Sequence, residues 1–309
     1  MAKKNILVVG SSNTDMIIKL ARIPRPGETI LGGEFVIAAG GKGANQAVGA
    51  ARAGGQVTFI ARVGQDMFGE QAVSGFVKDG IDVEYVFRDK TSPSGVALIF
   101  VAQDGENSIA VASGANGRLS SADVKKAKSA FAGAAVLVMQ LETPLETVET
   151  AAELAAKAGV RVILNPAPAR PLPDSLLRRV SILTPNESEA ELLTGVRVIN
   201  AASAAKAADK LLAKGVETVI VTLGAKGALV ACRGGQEIVP GFVVQAVDTT
   251  AAGDIFNGAL AVALAEGQPL AAAVRFANAA AAISVTRLGA QPSAPKRKEI
   301  EKLLKTVTH

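Results

Sequence analysis

VLVMQLETPLETVETAAELAAKAGVRVIL, residues 136–164, is the stretch whose reading decides the fold class. Val136 to Met139 is an unbroken apolar, β-prone run, and Val160 to Leu164 returns to β-rich composition. Between them, Leu145 to Ala158 places small and apolar residues at helical spacing. Its start signal puts Pro144 at the first helical position with Glu146 three residues after Thr143, and Gly159 closes it. A strand, a helix and a second strand in one short unit point to a parallel sheet.

The rhythm repeats along the chain. Ile6 to Val9, Val57 to Ala61, Val219 to Leu223 and Ala228 to Cys232 also read as strands, and Ala44 to Ala53 and Ala201 to Lys214 as helices. Continuous apolar strands alternating with helices imply a mostly parallel sheet covered on both faces. We expect one α/β domain over residues 1–309. Two regions break the pattern: Asp15 to Leu20 with Thr29 to Ala38, and Val96 to Ala102 with Ser108 to Ala112 across Asp104-Gly105, read as antiparallel hairpins with no helix between. They predict a small, discontinuous β-sheet from about residues 15–38 and 95–112, serving as a lid over a site or as a dimer contact.

Composition removes whole classes of chemistry. The sole histidine is the last residue, His309, and the sole cysteine is Cys232 in an apolar run, read as core packing. A Ser-His-Asp triad, a His/Cys zinc site and a Cys-His pair all lack their residues. Net charge is +5, but the clusters at Lys3-Lys4, Lys125-Lys126, Arg178-Arg179 and Lys296–Lys298 have no interleaved aromatics. They read as solvated faces, not as a nucleic-acid platform. No uncharged run exceeds 13 residues, against about 20 for a membrane span. A short apolar run after Lys3-Lys4 makes no secretory signal, so a cytoplasmic protein is expected.

Chemistry concentrates at strand and helix ends. Asp248-Thr249-Thr250-Ala251-Ala252-Gly253-Asp254 runs into the apolar stretch Ile255 to Ala265. Small residues before a helix leave its first N–H groups bare, where the dipole favours an anion. Asp254 would add a base at the same turn, or simply cap a helix ended by Gly267 and Pro269. Gly10 to Asp15 follows the first strand and suits a polyol, or is an ordinary polar turn. Ala39 to Gln46 opens a helix with three glycines around Lys42 and Asn45; it fits neither a P-loop nor a dinucleotide fingerprint. Glu142 ends a strand, as a site carboxylate or as part of the next helix's cap. Asn186 and Glu189, three apart at a helix start, could hold magnesium through water or merely stabilise that helix. Thr222 to Gly227 could run along phosphates or form a tight turn between strands.

Together these motifs, from Gly10 to Ser293, resemble the PfkB family of carbohydrate kinases, with Gly40 to Asn45 similar to its first signature and Asp248 to Asp254 to its second. That resemblance implies a three-layer α/β/α fold with a mostly parallel central sheet plus a small β-sheet lid. It implies ATP- and Mg²⁺-dependent phosphorylation of D-ribose at O5, giving D-ribose 5-phosphate and ADP. Asp254 would be the base, and the backbone of Ala251, Ala252 and Gly253 the anion hole. Asn13, Asp15, Gly41, Lys42, Asn45 and Glu142 would grip the sugar; Asn186, Glu189, Thr222, Gly224, Gly227, Gly253 and Asn278 would serve ATP and its metal. K⁺, a monovalent activator, would sit near Asp248, Thr250, Ser284, Arg287, Gly289 and Ser293, and a homodimer would form through the lid. The family usually has glycine where this chain has Ala251; because alanine resists positive φ, the turn is expected at φ below zero. Rival readings are a family kinase for fructose, a deoxygluconate or a nucleoside, a sugar-binding regulator without chemistry, and a dinucleotide-dependent dehydrogenase.

Overall fold

The computed structural model describes residues 5–306, and the expectations for Lys3-Lys4 and His309 lie outside them. Within β1 (Asn5–Val9), Ile6 and Val8 join one buried cluster while Leu7 and Val9 join another. Strand side chains alternate faces, so each continuous apolar run feeds two interiors at once. β4 (Gln56–Gly64) divides Phe59 from Ile60, and β8 (Ala134–Met139) divides Val138 from Met139 in the same way. The helices Lys42–Arg52, Ala252–Ala265 and Leu270–Ser284 cover the first face; Leu145–Ala158 and Ala201–Ala213 cover the second.

The remaining strands are β2 (Asn13–Leu20), β3 (Glu34–Gly40), β5 (Val86–Asp89), β6 (Gly95–Ala102), β7 (Asn107–Ala112), β9 (Arg161–Leu164), β10 (Ile182–Leu183), β11 (Thr218–Thr222), β12 (Ala228–Cys232) and β13 (Gly235–Val239). Among the described residues, nine form one sheet in the order β13-β12-β11-β10-β9-β8-β1-β4-β5. Only β12 and β13 run antiparallel to their neighbours. The chain builds outward from β1 in both directions, which places a topological switch point beside its carboxyl end. The expected three-layer α/β/α architecture is present.

The second sheet has the order β3-β2-β6-β7. Both expected antiparallel pairs are there, but β2 and β6 join them in parallel, from Asn13 beside Gly95 to Leu20 beside Ala102. Residues 21–33 separate β2 from β3, so the first pair is not a tight hairpin.

Two local expectations are corrected. Pro144 is the cap of the Leu145–Ala158 helix and not its first residue: its ψ of 137° is extended, and the Thr147 and Val148 N–H groups donate to its carbonyl. Cys232 is half-buried at the end of β12, where the chain turns into the edge hairpin, so it does not belong to the core.

Candidate active site

The site is built where β1, β8, β9, β10 and β11 end. After β1 the chain passes the start of the Lys42–Arg52 helix with no room to spare: a Cβ on Gly43 would lie 2.5 Å from the Ser11 nitrogen. That approach lets the Ser11 hydroxyl donate to Glu142 Oε2 at 2.5 Å, which also accepts the Lys42 N–H at 2.9 Å. Glu142 therefore caps the Lys42 helix and not the helix that follows it in sequence, satisfying an N–H that has no partner within its own helix.

Asn13 and Asp15 lie on β2, on the face that carries Gly40 and Ala38 of β3. A Cβ on Gly40 would fall 2.2–2.4 Å from the Asp15 carboxylate, so only glycine leaves that carboxylate its place. Asn116, which the sequence reading overlooked, donates from Nδ2 to Asn13 Oδ1 at 2.7 Å and accepts the Ser12 N–H at 2.8 Å, fixing how Asn13 is turned. Burial, with repulsion from Glu142 and Asp254, lifts the Asp15 pKa from 3.8 to about 6 against the pull of Lys42. For Lys42 itself burial opposes the charge, yet Asp254, Glu142, Glu189 and Asp15 together outweigh it and raise its pKa. One cation thus sits in the field of four carboxylates. Gly41 precedes it at φ 90°, a conformation open to glycine.

Asp254 is the third residue of the Ala252–Ala265 helix. Its Oδ2 accepts from Asn45 Nδ2 at 3.0 Å and its Oδ1 from Gln46 Nε2 at 2.9 Å. It does not cap that helix; both oxygens are spent across it on the Lys42 helix. Burial raises its pKa, and Lys42 and the two amides oppose the rise. Asn45 Oδ1, by contrast, is buried with no hydrogen-bond partner among the described residues.

The turn before Asp254 overturns the expectation of negative φ. Ala251 has φ 59° and ψ 12°, alone among the described non-glycine residues in having positive φ. The Ala252 N–H donates to the Thr249 carbonyl at 3.3 Å, making Ala251 the third residue of a turn that ordinarily takes glycine there. Its Cβ stays in the left-handed region at a cost of about 1–2 kcal/mol. Ala252's N–H is thereby occupied. Among the described residues no acceptor takes the N–H of Gly253 or Asp254, and Gly253 is exposed with open space where a Cβ would stand. These two bare groups lie at the positive end of a 14-residue helix, where an anion would be favoured.

Asn186 caps the helix Glu187–Thr194 reciprocally with Glu189, whose carboxylate accepts the Asn186 N–H at 2.9 Å. Burial raises the Glu189 pKa; the Asn186 N–H and Lys42 draw it down, while Asp254 adds to the rise. Thr222 donates its N–H to the Pro185 carbonyl, so Asn186 and Thr222 lie side by side, with Gly224 to Gly227 just beyond. Gly227 has φ 96° and its missing Cβ would fall 2.2 Å from the Val239 carbonyl. Asn278 donates to the Val239 and Pro240 carbonyls, each at 3.1 Å, and so holds the strand that backs this turn.

Asp248 accepts the Thr250 and Gly289 N–H groups, both at 2.8 Å, tying two loops together. Burial would raise its pKa, but these hydrogen bonds outweigh it and hold the group below its ordinary value. Ser284 and Ser293 spend their hydroxyls on the Ala281 and Ala290 carbonyls, and the Arg287 guanidinium pairs with Glu299. These contacts tie the three side chains to their own loops and to the Arg297–Thr306 helix.

A family model for pfkB family carbohydrate kinases matches residues 3–297. The chain belongs to the PfkB family of carbohydrate kinases. It is 50% identical over 297 residues to the ribokinase of Haemophilus influenzae, covering 96% of this chain and 97% of that one. It is 40% identical to a deoxyribokinase of Salmonella typhi, with 97% and 98% covered. Among solved structures, the Arabidopsis thaliana ribokinase complexed with ribose and ATP superposes with a TM-score of 0.91 at 36% identity, covering 99% of both chains.

Against this PfkB framework, Asp15, Lys42, Asn45, Glu142 and Asp254 are brought together by hydrogen bonds or mutual electrostatic influence, while Asn13 shares the Asp15 face of β2 and is tied to Asn116. Asn186, Glu189 and Thr222 form a second group, linked to the first through the fields of Lys42 and Asp254. Besides Asn116, the sequence reading gave no role to Ser11, Gln46, Gln140, Asn165 and Asn257. Ser11 and Gln46 carried a signal, since they lie within the Gly10–Asp15 turn and the glycine-rich Ala39–Gln46 segment. Among the described residues no cluster of His, Cys, Asp and Glu fit to hold a metal is present, and no helix is long and apolar enough to cross a membrane.

Proposed function

We propose that this protein is a ribokinase that transfers the γ-phosphoryl group of ATP to O5 of D-ribose, giving D-ribose 5-phosphate and ADP. The observation that carries the reading is the Asp254 carboxylate one residue from the exposed, unpartnered Gly253 N–H. Asp254 takes the proton from the O5 hydroxyl as O5 attacks the γ-phosphorus, the bond to the bridging oxygen breaks, and ADP leaves. The Gly253 and Asp254 N–H groups receive the charge that builds on the transferring group. Asn13, Asp15, Lys42, Asn45 and Glu142 orient the pentose, with Asn45 Oδ1 accepting from a sugar hydroxyl. Thr222, Gly224 and Gly227 flank the nucleotide, and Asn278 positions the loop behind them.

Glu189 fits Mg²⁺ held through water: it is a buried carboxylate in the field of the reacting groups, and magnesium offsets phosphate charge when bound. Potassium would stand at the loops joined by Asp248, coordinated by main-chain oxygens around Thr250 and Ser284 to Gly289, with Ser293 shaping the far side. The β3-β2-β6-β7 sheet acts as the lid. Phe35, Ile37 and Leu98 are about half exposed on the face of it opposite Asp15, and we assign them to a homodimer contact. A cytoplasmic location accompanies the ATP requirement. ADP release should be measured with ribose, 2-deoxyribose, fructose, 2-dehydro-3-deoxygluconate and a nucleoside, with and without K⁺. Ribose should give the highest kcat/KM, with phosphorus on O5. A faster alternative sugar, or calorimetric ribose binding without ADP, overturns the assignment.

A further inference from the structure

Behind Asp254 lies a chain of neutral side chains that no step above uses. Gln46 Nε2 donates to Asp254 Oδ1 at 2.9 Å and to Asn165 Oδ1 at 3.2 Å. Asn165 Nδ2 donates to the Thr184 carbonyl at 3.2 Å, the Thr184 hydroxyl to Asn257 Oδ1 at 2.7 Å, and Asn257 Nδ2 to the Gly253 carbonyl at 2.8 Å. The path starts at the Asp254 side chain and returns to the peptide that precedes it, closing a ring. Every side chain in it is at least nine-tenths buried.

The orientation of the Gln46 amide follows from its other neighbour. Gln140 Nε2 donates to Gln46 Oε1 at 2.6 Å, so the opposite end of that amide must carry the two donors. Reach is set by packing. A Cβ on Gly258 would meet the Gln46 carbonyl at 2.6 Å, and one on Gly49 would meet the Ile255 side chain at 3.1 Å. Glycine on both helices brings the Lys42–Arg52 and Ala252–Ala265 backbones close enough for a glutamine to span them.

We infer that Gln46 is a positioning residue for the reaction: held by Gln140 and Asn165, it fixes the rotation of the Asp254 carboxylate and keeps it ionised to receive the sugar proton. The inference rests on the assignment of Asp254 as base. Several groups act on Asp254: Lys42 and Asn45 from the Lys42 helix favour its charge; Glu142 after β8, Asp15 on β2 and Glu189 from the Glu187 helix share its field and oppose it. Gln46 acts with Lys42 and Asn45 against the burial that disfavours the charge. Removing one amide donor to a buried carboxylate raises its pKa by about one unit.

Gln46→Met keeps length and apolar packing but donates nothing. We expect kcat to fall about 10- to 100-fold, the ribose dissociation constant to stay within about twofold of wild type, and the acid limb of the kcat–pH profile to move up by about one unit. In an Asp254→Asn background the same change should not lower residual turnover further. Gln140→Met, which frees the Gln46 amide to rotate, should shift the limb the same way by less; it serves as the test if Gln46→Met does not fold. A folded variant with an unmoved acid limb, or one whose loss appears only in ribose binding, overturns the inference. Near-normal turnover of Asp254→Asn alone would instead sink the assignment of the base itself.

Discussion

Replacing Asp15 by Asn separates the two demands on this side chain. In the folded protein the Asp15 pKa stands at about 6 against an ordinary 3.8, chiefly because burial removes its water. A carboxylate whose folded pKa is raised favours folding fully below pH 3.8, and loses that advantage as pH rises through about 6. Above that, the folded protein carries an ionisation cost that the unfolded chain does not. Roughly two units at 1.4 kcal/mol each give an upper bound of about 3 kcal/mol. Partial exposure of the strand screens this, so 1–2 kcal/mol is the expected order. At about 2.1 cal/mol/K per residue, a chain of 309 residues has an unfolding entropy near 0.65 kcal/mol/K. Asp15→Asn should therefore raise Tm at pH 8 by about 2–3 °C and by much less at pH 4. Ribose should lose its charged acceptor, and its KM should rise about 10-fold or more, with kcat less affected. Wild-type KM for ribose should climb as pH falls below about 6, and the variant should lack that climb. Scanning calorimetry at the two pH values with steady-state kinetics decides the matter. An unchanged or lower Tm at pH 8 together with an unchanged KM would refute the reasoning.

Asp254→Asn should lower kcat by roughly 10²- to 10⁴-fold with ribose affinity within a few-fold; stopped assays with calorimetry check both, and near-wild-type turnover counts against the base. Ala251→Gly relieves a left-handed alanine costing about 1–2 kcal/mol but adds about 0.5–1 kcal/mol of unfolded-chain entropy. The net should be a stabilisation of about 0–1.5 kcal/mol with kcat preserved, measured by denaturant midpoint; a clear loss of stability would contradict the strain. Gly40→Ala should displace the Asp15 carboxylate, which a Cβ would approach to 2.2 Å. Ribose KM should rise about 10-fold while ATP KM holds, and parallel changes in both would point to general disruption.

The inner strands of the central sheet were legible because β1, β8 and β12 carry near-continuous apolar runs, a pattern that two covered faces explain, whereas the edge strands β5 (VFRD) and β13 (GQEIV) are too polar to show it. Shorter or distant features were not. β10 is two residues long, too brief to carry any period. The parallel junction of β2 with β6 joins segments about eighty positions apart, and nothing local specifies it. In the site, the charged and glycine-rich members stood out by type, whereas Gln140, Asn165 and Asn257 are neutral amides whose meaning exists only once three strand ends converge. Ala251 was misread for a different reason. Local preference argued against positive φ, but the Thr249–Ala252 hydrogen bond and the Asp248 tether impose it.

The path from β1 into the second sheet is three residues long, Gly10 to Ser12. With that sheet as the proposed lid and Asn13 and Asp15 as the proposed sugar ligands, cover and grip are one piece of chain: any swing of the sheet carries both residues with it. A pentose that engages both residues draws its own shelter down, while a water molecule, too small to bridge them, has nothing to pull on. Thrift with ATP would then depend less on the base than on how short that strap is.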